Sequence, residues 1–199
     1  MTAESVDLNR RHFLTVATSV TGAIGVGLAA VPFVSSMRPS ARAEALGAAV
    51  EVDISKIEPG AMIRVVWRGK AVFIVNRTEE MLAQLPAVRD RLDDPDSLKP
   101  QQPDYAQNEY RSIREEILIL VGVCTHLGCA PSFHPEVGDP EINRDPDWRG
   151  GMFCPCHGSM FDMAGRVYKA VPAPLNLPVP PHRYLTDDIV IIGDDTGAA

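Results

Sequence analysis

Four cysteines and two histidines lie in two short runs, residues 124–129 (CTHLGC) and residues 154–159 (CPCHGS). All the cysteines of the chain are in these runs, so none serves elsewhere as a small buried apolar residue. Thiolates and imidazoles are common protein ligands of zinc and iron, and each run has a cysteine and a histidine two or three positions apart. The spacing therefore indicates a metal site with four ligands, two from each run.

Several uses of these residues are compatible with the spacing. A structural zinc bound by two cysteines and two histidines would leave Cys129 and Cys156 unexplained. Two disulfides would leave His126 and His157 without a role, and the histidines could instead satisfy hydrogen bonds in the core. A two-iron cluster with two thiolates on one iron and two imidazoles on the other also takes four ligands. The residue spacing leaves these alternatives open.

The elements that must position the two runs are predicted to be β-strands. Short β-branched segments recur at residues 50–55, 62–69 and 70–77, and apolar segments follow at residues 116–123 and 187–195. Turn formers such as Pro-Gly and Arg-Gly-Lys separate the early segments. The segment at 116–123 leads directly into the first cysteine. We therefore expect a mainly β domain built on an antiparallel sheet.

One short helix is predicted within this domain, over residues 78–91. Thr78 is a candidate N-cap, and Glu79 and Glu80 place negative charge in the first turn. Apolar residues then follow at helical spacing, and Pro86 is expected to disturb the helix. The polar, proline-rich segment at residues 93–111 gives no clear pattern.

The N-terminal segment is predicted to be a membrane anchor. Residues 13–37 contain no charged side chain, and 25 apolar or small residues are enough for a helix to cross a bilayer core of roughly 30 Å. A buried helix of a soluble protein is the alternative. Residues 38–50 are rich in alanine and lack a dense apolar pattern, so we expect a tether or hinge there.

An export signal precedes this anchor. Residues 9–14 (NRRHFL) resemble the twin-arginine signal, which implies export of a folded protein. With that signal, residues 1–12 are expected in the cytoplasm, and the chain beyond the tether outside. A cleaved signal peptide is the competing interpretation, because Ala41-Arg42-Ala43 resembles a cleavage site. The length of the apolar run favours a retained single-pass anchor.

The charge of the chain excludes one class of partner. The net charge is −7, from 26 acidic and 19 basic residues, and the sequence has no basic cluster that could neutralise a run of phosphates. Residues 1–50 carry four basic and three acidic groups, so the remainder holds 15 and 23. We therefore expect no nucleic-acid partner, and the C-terminal part is expected to dock on a basic surface.

The two runs resemble the cluster-binding boxes of Rieske iron-sulfur proteins, and residues 172–177 (PAPLNL) resemble the proline loop of that family. The resemblance implies one Rieske-type 2Fe-2S cluster in residues 51–199, with its binding part at about 118–182. It also implies the role of each residue in the boxes. By position, Cys124 and Cys154 would bind the inner iron, His126 and His157 the outer iron, and Cys129 and Cys156 would form a disulfide.

The same resemblance implies roles for residues around the cluster. Leu127 would shield it, the Ser159 hydroxyl would donate to a cluster sulfur, and Pro172 would belong to a stiff cover. Many family members have a tyrosine two residues after the serine, whose hydroxyl donates to the sulfur of the second-box cysteine. This chain has Phe161 there, and Tyr168 is the nearest tyrosine further on.

The order of signal, anchor, tether and boxes resembles the iron-sulfur subunits of bacterial quinol-cytochrome c reductases. That implies an electron-transfer subunit of a respiratory, dimeric enzyme complex, which takes one electron and a histidine-linked proton from quinol. The electron would pass to a membrane-anchored c-type cytochrome, with quinol bound in a cytochrome b subunit. The implied location is the bacterial inner membrane, with the C-terminal domain in the periplasm.

Three other functions compete with this expectation. A Rieske relay subunit of a periplasmic molybdenum oxidase, such as arsenite oxidase, is the main alternative. The long insert between the boxes and the retained anchor disfavour it. A Rieske dioxygenase is disfavoured because its boxes lack the spare cysteine pair, and a zinc-binding module would carry no redox role.

Overall fold

The computed structural model describes residues 7–142 and 145–198, without the side chain of Leu46. The chain divides into two compact units, Met1–Ala45 and Leu46–Ala199. We call the second the head unit. The two-unit division resembles the predicted separation of an N-terminal anchor from a folded domain.

The N-terminal unit is dominated by one long helix, α1 (Leu8–Ser36). The Asp7 carboxylate caps it by accepting from the backbone N–H groups of Asn9 and Arg10. No described residue of α1 is buried, and it is the one described helix long and apolar enough to cross a membrane. Its 29 residues rise about 44 Å. The helix includes the twin-arginine motif and ends one residue before the end of the predicted span at residue 37.

A second helix, α2 (Ala41–Gly47), lies inside the segment predicted to be a tether. Ser40 precedes the helix and caps it. Its hydroxyl accepts a hydrogen bond from the Ala43 N–H at 3.2 Å, and its carbonyl accepts one from the Glu44 N–H at 2.9 Å. Alanine has the highest helix propensity, which accounts for a helix where no apolar stripe is present. The segment is therefore partly helical.

The described part of the head unit contains nine strands, and every strand pair is antiparallel. They form three separate three-stranded sheets, ordered β1-β9-β8, β2-β3-β4 and β5-β6-β7. The mainly β prediction is confirmed, although one antiparallel sheet was expected. The strands are β1 (Val50–Asp53), β2 (Met62–Trp67), β3 (Lys70–Asn76), β4 (Ile117–Val121), β5 (Ser132–His134), β6 (Gly151–Cys154), β7 (Ser159–Phe161), β8 (His182–Tyr184) and β9 (Ile189–Ile192).

In the sheet β2-β3-β4, the strands β3 and β4 are buried on both faces, since successive side chains of a strand point to opposite sides. Val72 and Ile74 of β3 pack in a core cluster with residues of β1 and β9. Phe73 and Val75 pack in another cluster, together with Cys124 and Cys154. We call this second group the site-side core. Strand β4 consists entirely of apolar residues because its side chains also alternate between these two clusters.

The predicted helix over residues 78–91 is two shorter elements. Helix α3 (Glu79–Leu82) begins at Thr78, whose hydroxyl accepts from the Met81 N–H at 3.3 Å, so the predicted cap is confirmed. A 3₁₀ helix (Pro86–Arg91) follows. Pro86 has no N–H to continue the hydrogen-bond ladder, which accounts for the break. A further 3₁₀ turn (Asp104–Ala106) lies in the proline-rich segment.

Candidate metal centre

The first loop, residues 122–130, leaves the end of β4 and folds back on itself. The Cys124 N–H donates to the Cys129 carbonyl at 2.7 Å, and the Gly128 N–H donates to the Cys124 carbonyl at 3.0 Å. Gly128 has φ of +86°, a backbone conformation in which a side chain would be strained. At the start of the loop, Gly122 lets the ring of Phe73 lie close to the backbone. A Cβ at residue 122 would overlap that ring.

The second loop, residues 155–158, is the connection of the β6–β7 hairpin. Cys154 ends β6 and pairs with Ser159, the first residue of β7. The Gly158 N–H donates to the Cys154 carbonyl at 2.8 Å, and Gly158 has φ of +77°. Both loops therefore make the same turn, from a cysteine to the glycine four residues later.

The two loops are joined by a disulfide between Cys129 and Cys156, with Cα atoms 6.7 Å apart. The predicted pairing of these cysteines is confirmed. Cys124 and Cys154 are free thiols, and only 3% and 1% of their surface is exposed. The Cys154 sulfur lies within 4.8 Å of both disulfide sulfurs. The four cysteines thus separate into one bridge and one buried thiol pair.

Burial raises the pKa of the Cys154 thiol, and the neighbouring Cys124 thiol raises it further. Two thiolates side by side in a buried position repel each other and lack solvation by water. A bound cation removes that penalty, because a metal holds its thiolate ligands deprotonated. The free thiol pair is therefore chemically suited to one iron of a cluster.

The two histidines come from the same two loops as the thiols. The rings of His126 and His157 lie edge to face, with centroids 4.7 Å apart and planes at 90°. The Nδ1 atom of His126 is buried and has no hydrogen-bond partner within residues 7–142 and 145–198. A buried nitrogen without a hydrogen bond is costly unless a ligand uses its lone pair. The residues present therefore fit a centre with two sulfur and two nitrogen ligands.

The segment predicted to cover the site contacts both loops. The Ser159 hydroxyl accepts from the Ala173 N–H at 3.0 Å, and the Thr125 hydroxyl donates to the Leu175 carbonyl at 2.6 Å. We call residues 172–177 the proline loop. Since the Ser159 oxygen accepts from Ala173, its own O–H can still donate to a cluster sulfur. Pro172 lies at the surface of this loop.

Two family models match the chain. The first, described as the Rieske [2Fe-2S] domain, matches residues 49–181.

This chain belongs to the Rieske [2Fe-2S] family.

The other model, described as the ubiquitinol-cytochrome C reductase Fe-S subunit TAT signal, matches residues 1–40. The predictions of a Rieske 2Fe-2S cofactor and of a twin-arginine signal are confirmed, which removes the zinc alternative.

Relatives match the chain along nearly its full length. A ubiquinol-cytochrome c reductase iron-sulfur subunit of Allochromatium vinosum is 56% identical over 199 residues, covering 100% of this chain and 95% of the relative. A protein of the same name from Rhodospirillum rubrum is 47% identical and covers 93% of this chain and 92% of the relative. Among solved structures, a chain titled "Hyperthermophilic respiratory Complex III" is 27% identical, covers 88% of this chain and 98% of that chain, and has a TM-score of 0.47.

Phe161 of the Rieske domain is fully buried in the site-side core, with Cys124 and Cys154. It lies on the same face of β7 as Ser159, because alternate residues of a strand point the same way. Tyr168 cannot supply the missing hydroxyl there. It stacks on Trp148 in another core cluster, with ring centroids 6.0 Å apart.

Leu127 is 71% exposed, at the outer end of the first loop. Its predicted role as a shield of the cluster stays a prediction. His157 is exposed as well, whereas His126 is partly buried. The Rieske domain therefore presents one imidazole and one large apolar side chain from its two loops.

A set of buried polar residues behind the proline loop was not found from the sequence. Arg166 pairs with Asp162 at 2.7 Å, and both are almost fully buried. Arg111 and Asn176 are fully buried and hydrogen-bond to the backbone around the loop. Asn176 belongs to the PAPLNL stretch and could have been singled out. Arg111 lies in a polar segment without periodicity, so no signal marks it.

Proposed function

We propose that this chain is the electron-transfer subunit of a respiratory quinol:cytochrome c oxidoreductase. The observation that carries the proposal is a pair of buried free thiols and a pair of edge-to-face imidazoles on two disulfide-linked loops, in a chain similar over its whole length to proteins named for that enzyme. Relatives of that name match all parts of the chain, anchor included. This favours the quinol enzyme over a relay subunit of a molybdenum oxidase.

Four residues would hold the cofactor. Cys124 and Cys154 would bind the inner iron, and His126 and His157 would bind the outer iron. When bound, a cluster with two imidazole ligands supplies a one-electron acceptor with a potential of roughly −150 to +300 mV, higher than that of all-cysteine plant-type clusters. The disulfide and the two glycine turns hold the four ligand residues in place.

His157 is the residue that we propose to contact quinol. It is the more exposed of the two histidines, so a hydroxyl group from a bound quinol can reach its ring. A neutral imidazole accepts a hydrogen bond from such a hydroxyl and can take up its proton. The exposed side chain of Leu127, in the other cluster-binding loop, offers an apolar contact to the quinol.

The remaining assignments follow from the same proposal. Residues 1–12 lie in the cytoplasm, residues 13–37 cross the bacterial inner membrane once, residues 38–50 are the hinge, and residues 51–199 lie in the periplasm. The partners are a cytochrome b subunit, which binds quinol, and a membrane-anchored c-type cytochrome, in a dimeric complex. The apolar α1 and the match of residues 1–40 to a twin-arginine signal support the anchoring.

The test is quinol-dependent reduction of cytochrome c by membranes from a host that lacks its own iron-sulfur subunit. Supplying the full-length chain should restore the activity, and His157→Gln should abolish it. His134→Gln is the matched control. His134 lies in β5, and its ring bonds Asp139 and Ser132 and is not part of the pair formed by His126 and His157. Restoration by the His157 variant, or no restoration by the unchanged chain, would contradict the proposal.

A further inference from the structure

The proline loop has few backbone hydrogen bonds of its own. Pro172 and Pro174 have no N–H to donate, so two of its six residues cannot contribute as donors. At the front, it is bonded to the two cluster-binding loops through Ser159 and Thr125. Its position must therefore depend on what holds its C-terminal end, at Asn176 and Leu177.

The buried side chain of Arg111 hydrogen-bonds to the C-terminal end of the proline loop. One terminal nitrogen, Nη1, donates to the carbonyl of Leu177 at 2.8 Å, and to those of Ala164 and Gly165 at 3.1 and 3.3 Å. The other, Nη2, donates to Gln102 Oε1 at 3.0 Å. The Leu177 N–H donates to Gly165 at 2.8 Å. One side chain thus connects the end of the proline loop to the turn at residues 162–166.

This arrangement is costly for Arg111. Its backbone has φ of +51°, in the left-handed region that is unfavourable for a residue with a Cβ. Its guanidinium is fully buried and forms no ion pair with any described residue. Burial lowers the pKa of Arg111 to about 10, so the group stays charged at neutral pH. Strain combined with a buried cation marks a residue whose position is held by its surroundings.

Asn176 strengthens the same end of the loop. Its Oδ1 accepts from the Val167 N–H at 2.8 Å, and its Nδ2 donates to the Asp94 carbonyl at 3.1 Å. Nδ2 also lies 3.4 Å from the hydroxyl of Ser97. Asn176 is therefore fixed on two sides.

We propose that Arg111 is a positioning residue that holds the proline loop against the two cluster-binding loops by fixing Leu177 to the 162–166 turn. The inference rests on the proposed function, since that loop is relevant only if the site holds the cluster. Without Arg111 the C-terminal end of the loop keeps the bonds of Asn176 and of the Leu177 N–H but is held less firmly, and the contacts of Ala173 with Ser159 and of Leu175 with Thr125 weaken.

Arg77 offers a matched control. It is also buried, with 2% of its surface exposed, and burial lowers its pKa to about 10 as well. It donates to the Tyr110, Met163 and Glu115 carbonyls and to the Ser112 hydroxyl, as many bonds as Arg111 makes. None of these partners lies in the proline loop, although Met163 belongs to the 162–166 turn. Replacing Arg77 therefore removes a buried cation but keeps the bond from Arg111 to Leu177, so a smaller change in the loop is expected.

The experiment compares full-length holoprotein carrying Arg111→Gln, Arg111→Lys or Arg77→Gln with the unchanged chain. Amide hydrogen exchange is measured for residues 171–177, together with iron per chain and the midpoint potential. Arg111→Gln should speed exchange in this segment by about tenfold, the equivalent of one lost bond from a charged donor. It should also lower the midpoint potential, because loss of a buried cation disfavours the reduced, more negative state of the cluster. Arg111→Lys should restore part of both.

Equal exchange in Arg111→Gln and the unchanged chain would overturn the proposal, as would an equally large change in Arg77→Gln. If Arg111→Gln does not accumulate, Arg111→Lys decides by the same comparison, with a smaller increase expected. Failure of the proposed function gives a different result, since the unchanged chain would then not restore quinol-dependent reduction of cytochrome c, while the difference in exchange between Arg111→Gln and the unchanged chain would persist. The two failures are thereby distinguished.

Discussion

At the scale of single residues, Phe161 sets a testable property of the cluster. It is buried in the site-side core with Cys154, at the position where many Rieske proteins have a tyrosine. A hydroxyl donating to a cluster sulfur favours the reduced, more negative state. If the bond gains roughly 1 kcal/mol on reduction, Phe161→Tyr raises the midpoint potential by on the order of 40 mV. Redox titration of both proteins at one pH is the measurement.

Tyr168→Phe is the control for this change. The Tyr168 hydroxyl is buried without a partner among the described residues, and it belongs to the cluster around Trp148. Its removal should leave the potential unchanged. An unchanged or lower potential in Phe161→Tyr would show that residue 161 does not reach the Cys154 sulfur.

His182 predicts how stability depends on pH. It is fully buried, and burial lowers its pKa below the ordinary value of 6.5. The unfolded chain therefore binds a proton at His182 before the folded chain does, and stability is lost as pH falls below about 6.5. The unfolding temperature should drop between pH 7.5 and 5.5, and less steeply in His182→Asn. If the unfolding temperature of His182→Asn falls equally steeply with pH, His182 does not contribute to the pH dependence of stability.

The residue types in the sequence predicted the metal centre but not the buried residues that hold the proline loop. Six residues in two runs could be predicted to meet, because cysteine and histidine are rarely placed together without a shared use. Arg111 could not, because three of its four partners are backbone carbonyls more than fifty residues away. Such carbonyls have no signature in the sequence.

At the scale of elements, the two loops depend on the disulfide between them. Replacing both Cys129 and Cys156 by Ala should leave the spectral type of the cluster unchanged, since neither is a proposed ligand. The free energy of unfolding should fall by about 2 to 4 kcal/mol. Chemical denaturation and the spectrum of the reduced protein are the measurements. A change in the ligand set of the double variant would contradict our division of the four cysteines.

The strands could be predicted from the sequence where they are long enough to show a pattern of apolar or β-branched residues. β1, β2, β3, β4 and β9 have four to seven residues with β-branched or continuous apolar side chains, and all were expected. β5, β7 and β8 have three residues each, too short to show an alternation. β6 begins with a glycine that sits too close to the Phe161 carbonyl for any Cβ. These four strands exist because of their tertiary partners.

At the scale of the whole molecule, the head unit is expected to be independent of the anchor. Its first strand, β1, starts at Val50 and pairs with β9, and both cysteine runs and the proline loop lie beyond it. A fragment starting at Leu46 should therefore bind as much iron per chain as the full-length protein. It should not support quinol oxidation in membranes. A fragment without iron, under conditions that load the full chain, would contradict this.

The division into an N-terminal helical unit and a head unit was also open to prediction, because uncharged length and composition distinguish the two parts. The helix α2 within the predicted tether was not expected. Alanine-rich composition is compatible with both a coil and a helix, and only the local capping by Ser40 distinguishes them.

The central claim is that two cysteines and two histidines hold one two-iron cluster. The most direct test is electron paramagnetic resonance of the reduced, full-length protein, with measurement of hyperfine coupling to ligand nitrogens. We predict a Rieske-type spectrum with coupling to the nitrogens of two imidazoles, which is lost with the cluster when His126 or His157 is replaced but kept when His134 is replaced. A cluster without nitrogen coupling, or iron-loaded protein without such a spectrum, would contradict the account.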